Sequence, residues 1–491
     1  MNRHNEFTGL MDAVEGSQRL GNVHYWDGYG FHFYSMLRPV KRVAEAKSKR
    51  AMEYAERVLK NYTQAASAAS RYYGSECRIL EHQGWVIHFY IHTDKRERIV
   101  EFAKLLSTLV EGRVMESFDE VTLQFHMAAE YGRSLLIAVD SATGEEAAKS
   151  CVSLGPCANN PAKKMGESTE KSSRPLWIRM TDEGAWDVED CQADEANTSQ
   201  ICENVMPASV RNFATAKMVD KTAVAVCRAQ TLKGVFADSV DGYLEAYCFR
   251  SDMDGFTKAV KRAFESVENK SNPNAVIELA TDFVGYMTSV NNWQAEDKAI
   301  NILPYPWAGD CCNMLAWPNY GEDFGMTDFE SSQKFFPVLV FNDWNGFVKK
   351  NGSAFARLSR TWREAHGKSK WVCCISGGVI YPFDVTTSDR KFRVMVGWPV
   401  GVSHTGVNLE KNEPDSLVLH KDDLEPLEKT RKSRFKTCKG SAEYSYATQD
   451  DLAKVKHDDA IWTAGAFGAT SFNGVNLRPT RPWASGSSHN V

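Results

Sequence analysis

Two acids in this chain sit where they could do chemistry. Asp252 lies in Ser251-Asp252-Met253-Asp254-Gly255-Phe256-Thr257, after the strand-like Leu244-Glu-Ala-Tyr-Cys-Phe249 and before a helix-like run. Asp310 lies in Pro306-Trp-Ala-Gly309-Asp310, in a turn between two strand-like runs. An aspartate at a strand-to-helix turn can cap the helix by accepting amide hydrogen bonds, or it can offer hard oxygen to a cation. Glycine at a helix start lets backbone amides point at an anion such as phosphate.

The same design occurs earlier in the chain. Trp26-Asp27-Gly28-Tyr29-Gly30-Phe31 repeats the D-x-x-G-F form, and Glu81-His-Gln-Gly84-Trp85 repeats the second turn. Trp85 follows Asp27 by 58 residues, and Asp310 follows Asp252 by the same 58. A single D-x-x-G-F segment is most simply a helix cap. Equal spacing in a repeated unit points Asp252 and Asp310 toward metal binding instead. Asp254 complements the helix dipole, and Asp27 is read as a structural remnant. A third landmark closes each half: Val152-Ser-Leu-Gly155-Pro-Cys-Ala-Asn159-Asn-Pro-Ala-Lys163 and Val394-Met-Val-Gly397-Trp-Pro-Val-Gly401-Val-Ser-His-Thr405. Three landmarks in one order imply a duplicated domain.

These landmarks together resemble the class III nucleotide cyclase catalytic domain, with its F-x-D-I-x-G-F-T strand end, its K-x-x-G-D hairpin and its late G-x-x-V-N-x-A-x-R segment. The second half matches the two metal-binding signatures but has Gly401 and Thr405 at the asparagine and arginine positions. The first half has Asn159 and Lys163 there, with Trp85 in place of the second acid. The resemblance implies an α/β (α+β sandwich) architecture of two tandem ferredoxin-like domains packed head to tail. It also implies one competent site, built from Asp252 and Asp310 of the second half and Asn159 and Lys163 of the first.

The implied reaction is in-line attack of a ribose 3′-hydroxyl on the α-phosphate of a nucleoside triphosphate, with pyrophosphate leaving. Charge builds on phosphate oxygens, so two divalent cations, Mn²⁺ or Mg²⁺, are the natural stabilisers. By resemblance Asp252, Asp310 and the Met253 carbonyl would hold them. Gly255, Phe256 and Thr257 would offer amides to the β- and γ-phosphates, Asn159 would hold the ribose, and Lys163 would place a point charge on the α-phosphate. The base-contact positions fall on Glu81 and Val152, which is not the Lys and Asp pair associated with adenine. Ala158-Asn159-Asn160-Pro161-Ala162-Lys163 also looks like the A-N-x-A-A-K form of pyrimidine cyclases in the bacterial Pycsar anti-phage systems. The leading expectation is therefore a cyclic UMP or cyclic CMP synthase whose product activates a separate effector. A purine cyclase and a cyclase-like pseudoenzyme that binds nucleotide are the alternatives.

Stepping outward, 491 residues exceed one hydrophobic core, and 43% hydrophobic with 25% charged residues is ordinary globular composition. A net charge of −5 and a pI near 6.2 argue against a partner of nucleic acid or anionic membrane. Met1 to Ala13 is polar and no apolar run approaches the ~18 residues of a membrane span, so a cytoplasmic location is expected. The twelve cysteines show no repeated C-x-x-C spacing and are read as reduced thiols. Gly367-Lys368-Ser369 lacks the upstream glycine of a phosphate loop, since that position is Trp362. His24 and His32 lack ligand spacing and are read as packed or hydrogen-bonded imidazoles.

Strands are expected at Trp85–Ile91, Ser134–Val139, Trp371–Ile375 and Phe392–Val396. Helices are expected around Val40–Tyr62, Glu97–Glu111, Thr257–Val267 and Phe341–Lys350. The expected division is a first cyclase-like domain over 1–175, a linker or extension over 176–238, a metal-binding second domain over 239–430 and a C-terminal tail over 431–491, irregular from Ser441 on and at least at its last residues. The chain is expected to act as a monomer that forms its own pseudo-dimer.

Overall fold

A computed structural model describes residues 23–39, 48–113, 123–139, 150–165, 174–180, 184–193, 244–253, 256–291, 293–308, 311–319, 336–350, 371–387, 391–398, 416–420, 436–437, 444–448, 470–472 and 475–477. Among these the chain runs β1 (Val23–Pro39), α1 (Ser48–Tyr72), β2 (Cys77–Gln83), β3 (Val86–Ile91), α2 (Arg96–Arg113), β4 (Leu123–Val139), β5 (Ser150–Leu154), α3 (Pro156–Met165), β6 (Pro175–Arg179) and β7 (Asp187–Asp190). It continues with β8 (Leu244–Met253), α4 (Phe256–Glu268), α5 (Ala275–Asn291), β9 (Ile300–Ala308), β10 (Cys311–Pro318), α6 (Phe336–Lys350), β11 (Trp371–Thr386), β12 (Lys391–Trp398), β13 (Ser416–His420), β14 (Lys436–Thr437) and β15 (Tyr444–Thr448). A small hairpin, β16 (Thr470–Phe472) and β17 (Val475–Leu477), follows. No helix among the described residues is long and apolar enough to cross a membrane.

Two sheets share one strand order. The first has the order β2-β3-β1-β4-β6-β7, with β5 on β4; the second has β9-β10-β8-β11-β13-β15-β14, with β12 on β11. In both, the opening strand lies between the hairpin and the long strand, and the late strand is the parallel neighbour (β6 to β4, β13 to β11). The architecture is the expected α/β one, with sheets of antiparallel and parallel strands.

Period-two burial makes the first sheet two-faced. Phe31, Phe33, Ile87, Phe89, Phe125 and Met127 all point into one core. α1 and α2 close it with Leu59, Tyr62, Ala66, Phe102 and Leu106, spaced as one helical face. The alternate residues of the same strands, among them His32, Tyr34, His88 and Glu130, are also buried, which makes the second face polar yet covered.

A second core joins the halves. Leu135, Ile137, Val152 and Leu154 of the first half pack with Phe249, Phe256, Val260 and Trp344 of the second. Burying a side chain of this size contributes about 1.5–3 kcal/mol. Phe392 of β12 reciprocates by entering the first core, where its ring lies 6.1 Å from that of His82.

Three sequence expectations change. β6 and β7 extend the first sheet through Asp190, so strands occupy part of the stretch assigned to the extension. β14 and β15 belong to the second sheet, so the tail is not irregular throughout. Most consequentially, the turn containing Asp27 is not a strand-to-helix turn. Asp27 lies within the 17-residue β1, paired with Leu135. Register identifies the true counterpart of Asp252. Met36 pairs with Val86 at the start of β3, as the end of β8 pairs with the start of β10 through Ser251 and Cys312. Phe33-Tyr34-Ser35-Met36 therefore aligns with Phe249-Arg250-Ser251-Asp252. The equal 58-residue spacing was a coincidence. Both acid positions of the first half are apolar, Met36 and Trp85.

Candidate active site

Asn159 and Lys163 lie four residues apart on α3, hence on one helical face. α3 is ten residues long and carries Pro161, which cannot donate to the Cys157 carbonyl. Packing against β4 holds it in place. A Cβ on Gly132 would lie 2.9 Å from Cys157 Cβ, and one on Gly155 would lie 2.8 Å from the Arg133 carbonyl oxygen. Glycine at these two positions is what lets the helix seat so closely. Cys157 Sγ donates to the Arg133 carbonyl at 3.4 Å, and Asn160 Nδ2 donates to Glu130 Oε1 at 3.2 Å.

Lys163 is exposed, whereas Asn159 is half-buried. Its Nδ2 is buried and has no hydrogen-bond partner among the described residues. An unmet buried donor is costly, which sets the Asn159 amide apart from the hydrogen-bonded Asn160 amide beside it. Ser153 Oγ, on β5, and Ser251 Oγ, beside Asp252, are likewise buried without partners. Ser153 has no signal in the sequence. Ser251 was visible inside the strand-end signature, but its type alone did not mark it.

α3 packs against α4 of the second half, and the Arg133 guanidinium lies 5.9 Å from the Phe264 ring on that helix. The fold thus brings the helix of Asn159 and Lys163 to the helix that opens with Phe256 and Thr257. Phe256 is 3% exposed and packs 5.0 Å from the Phe283 ring, so its side chain anchors α4. Thr257 is half-buried in the first turn. Asp252 and Met253 end β8, paired with Val372 and Trp371; their side chains, with Gly255 and Asp310, lie outside the described residues.

Glu81 and Val152 fall in different clusters. Val152 is fully buried in the core shared by the halves. Glu81 is buried on the polar face, where Gln83 Nε2 donates to its Oε2 at 2.6 Å and His88 Nδ1 lies 3.6 Å from its Oε1. His88 stacks on Tyr34 at 4.0 Å, and its Nε2 is 2.9 Å from His32 Nδ1. His32 Nε2 is 2.7 Å from Ser134 Oγ. Burial holds the His88 and His82 imidazoles down to about 3, and it lowers His32 well below the usual histidine range with help from His88. Burial, and then the charge of Glu81, pushes the Tyr34 hydroxyl well above the usual phenol range. The histidines are therefore neutral hydrogen-bonding groups.

Among the described residues no cluster of three or more His, Cys, Asp or Glu could hold a metal. Asp252 and Asp310 would supply hard carboxylate oxygens, a donor type that fits Mg²⁺ or Mn²⁺.

The fold these elements define is a class III cyclase-like one. A class III adenylyl cyclase-like ATP-binding protein from Pseudomonas aeruginosa aligns over 90% of this chain and 93% of its own, with a TM-score of 0.54 and 10% identity. A guanylyl cyclase domain from the RhoGC fusion protein of Blastocladiella emersonii aligns over 31% of this chain and 80% of its own, with a TM-score of 0.23 and 12% identity. A bacterial light-regulated adenylyl cyclase aligns over 88% and 97%, with a TM-score of 0.29 and 10% identity. No protein-family model and no curated protein matches the sequence. At 10% identity the likeness to the Pseudomonas protein is one of fold.

Proposed function

We propose that the chain is a nucleotide cyclase with one site, formed where its two halves meet head to tail within a single molecule. The observation that carries this reading is the packing of α3, with the unmet Asn159 amide, against α4, which opens beside the Asp252 end of β8. In the reaction, the 3′-hydroxyl of a bound nucleoside triphosphate loses its proton as its oxygen bonds to the α-phosphorus. The bond to the bridging oxygen breaks and pyrophosphate departs. Asn159 orients the ribose, Lys163 offsets charge on the α-phosphate, and the amides of Gly255, Phe256 and Thr257 receive the terminal phosphates. Asp252, Asp310 and the Met253 carbonyl would hold two Mn²⁺ or Mg²⁺ ions, which when bound acidify the hydroxyl and stabilise phosphate charge. Glu81 and Val152 hold the positions that the family resemblance assigns to base contact, although they fall in different clusters. The A-N-x-P-A-K wording around Asn159 favours a pyrimidine, giving cyclic UMP or cyclic CMP for a cyclic-nucleotide-activated effector in an anti-phage response.

The deciding experiment is incubation of the full chain with ATP, GTP, CTP or UTP plus Mn²⁺, followed by product identification. A pyrimidine cyclic nucleotide and equimolar pyrophosphate are expected; no cyclic product from any of the four would end the enzyme reading. The similar Pseudomonas protein is described as ATP-binding, which favours a second reading, a pseudoenzyme that binds nucleotide and regulates a partner. Binding without pyrophosphate release selects it.

A further inference from the structure

We propose that Glu130 is a positioning residue: through Asn160 it fixes the rotation of α3 about its axis and thereby the direction in which Asn159 presents its amide. The inference rests on the reading of Asn159 given above. α3 needs such a hold. A ten-residue helix is marginal by itself, and Pro161 removes the hydrogen bond to Cys157 that would stiffen the turn containing Asn159 and Asn160. A proline also disfavours helical backbone at the residue before it, which is Asn160.

Glu130 meets this need. It is completely buried on β4, its Oε1 accepts from Asn160 at 3.2 Å, and the Arg179 guanidinium of β6 approaches the same oxygen at 3.8 Å. Arg179 in turn lies over the Trp186 ring at 5.8 Å. A carboxylate is seldom sunk this deep without a task, and this one ties α3 to two strands at the step next to Asn159. The Gly132 contact fixes how close the helix lies, while the Asn160 bond fixes how it is turned. A small misplacement of a substrate-positioning group costs rate more than affinity.

The test uses the full chain with Mn²⁺ and whichever triphosphate it turns over. Asn160→Ala should lower kcat about tenfold with KM changed less than about twofold. Glu130→Gln keeps an oxygen for Asn160 and should retain kcat within about threefold, whereas Glu130→Ala should match Asn160→Ala. Pro161→Ala, added to Asn160→Ala, should recover part of the loss by restoring the helical bond. Unchanged kcat in Asn160→Ala overturns the proposal, and so does unchanged kcat in Asn159→Ala. A second readout does not need turnover: in Asn159→Cys, peptide-resolved thiol labelling at position 159 should quicken about tenfold when Asn160→Ala is added. An unchanged labelling rate overturns the positioning role even if the chain proves to bind nucleotide without cyclising it. Absence of any cyclic product with the labelling change intact rejects the cyclase reading alone.

Discussion

Met36 in β1 holds the register that Asp252 holds in β8, two residues of opposite chemistry at one place in a duplicated fold. With Trp85 at the other acid position and 2% exposed, the first half has an apolar pair where the second has two carboxylates. Asp252→Ala or Asp310→Ala should therefore lower turnover on the order of 10²-fold or more, while Met36→Ala and Asp27→Ala should leave most of it. Equal losses in all four variants would show that the acids are not divided between the halves as proposed.

The same asymmetry sets stoichiometry. Trp85 and Phe392 are both buried in the first core, and on the proposed reading the first half offers no carboxylate pair for a second site. Calorimetric titration with a slowly turned-over triphosphate and Mn²⁺ should give one nucleotide per chain; two equivalent sites would contradict the proposed arrangement.

Lys163 is exposed at the edge of α3, free to move its ammonium onto a phosphate. Lys163→Ala should reduce kcat roughly 10- to 10²-fold, and Lys163→Arg should stay near the parent rate, since the positive charge is kept and a fork is added. Steady-state kinetics on the preferred triphosphate checks both.

The neutral histidines predict acid sensitivity. His82 and His88 titrate near 3 in the fold because burial opposes their charge, but near 6.5 when unfolded. Between those values the unfolded chain binds more protons, so stability rises with pH and is lost as pH falls from about 6.5 toward 3. Each histidine adds a slope of up to about 1.4 kcal/mol per pH unit. Denaturant unfolding from pH 4 to 7 should show the loss, and His82→Gln should flatten it.

Gly155 supports α3 from below. A Cβ there would press on the Arg133 carbonyl oxygen at 2.8 Å and on Ser134 Cβ at 2.9 Å. Gly155→Ala should cost about 1–3 kcal/mol of stability, read as a lowered unfolding midpoint, with Gly74→Ala as a control for the loss of glycine alone: its Cβ would meet nothing within 4 Å, although its φ of 61° adds strain of its own.

The sequence by itself determined the type of most of the helices and strands it marked, though not the helix α5 or the strand that runs through Asp27. Apolar spacing of two in Phe31 and Phe33, and of three to four in Val58 through Ala69, reflects local backbone geometry that needs no partner. It also marked the turn at Asp252, where glycine punctuation and an acid coincide. Tertiary structure decided register and burial. A 17-residue strand repeats its period too evenly to say which residue faces the hairpin, so Asp27 and Met36 were separable only once β3 was paired. Glu130 lies upstream of the strand expected at Ser134–Val139, and its burial beneath α3 is evident only in the tertiary structure. β7 and β14 are sheet edges in polar segments, held by backbone hydrogen bonds that leave no mark in hydrophobic pattern, while β6 and β15 lie inside the sheets but are only five residues each, too short for a period to declare itself. That α3 lies against α4 of the second half was likewise beyond local chemistry: it depends on Leu135, Ile137, Val152 and Leu154 sharing a core with residues more than ninety positions away.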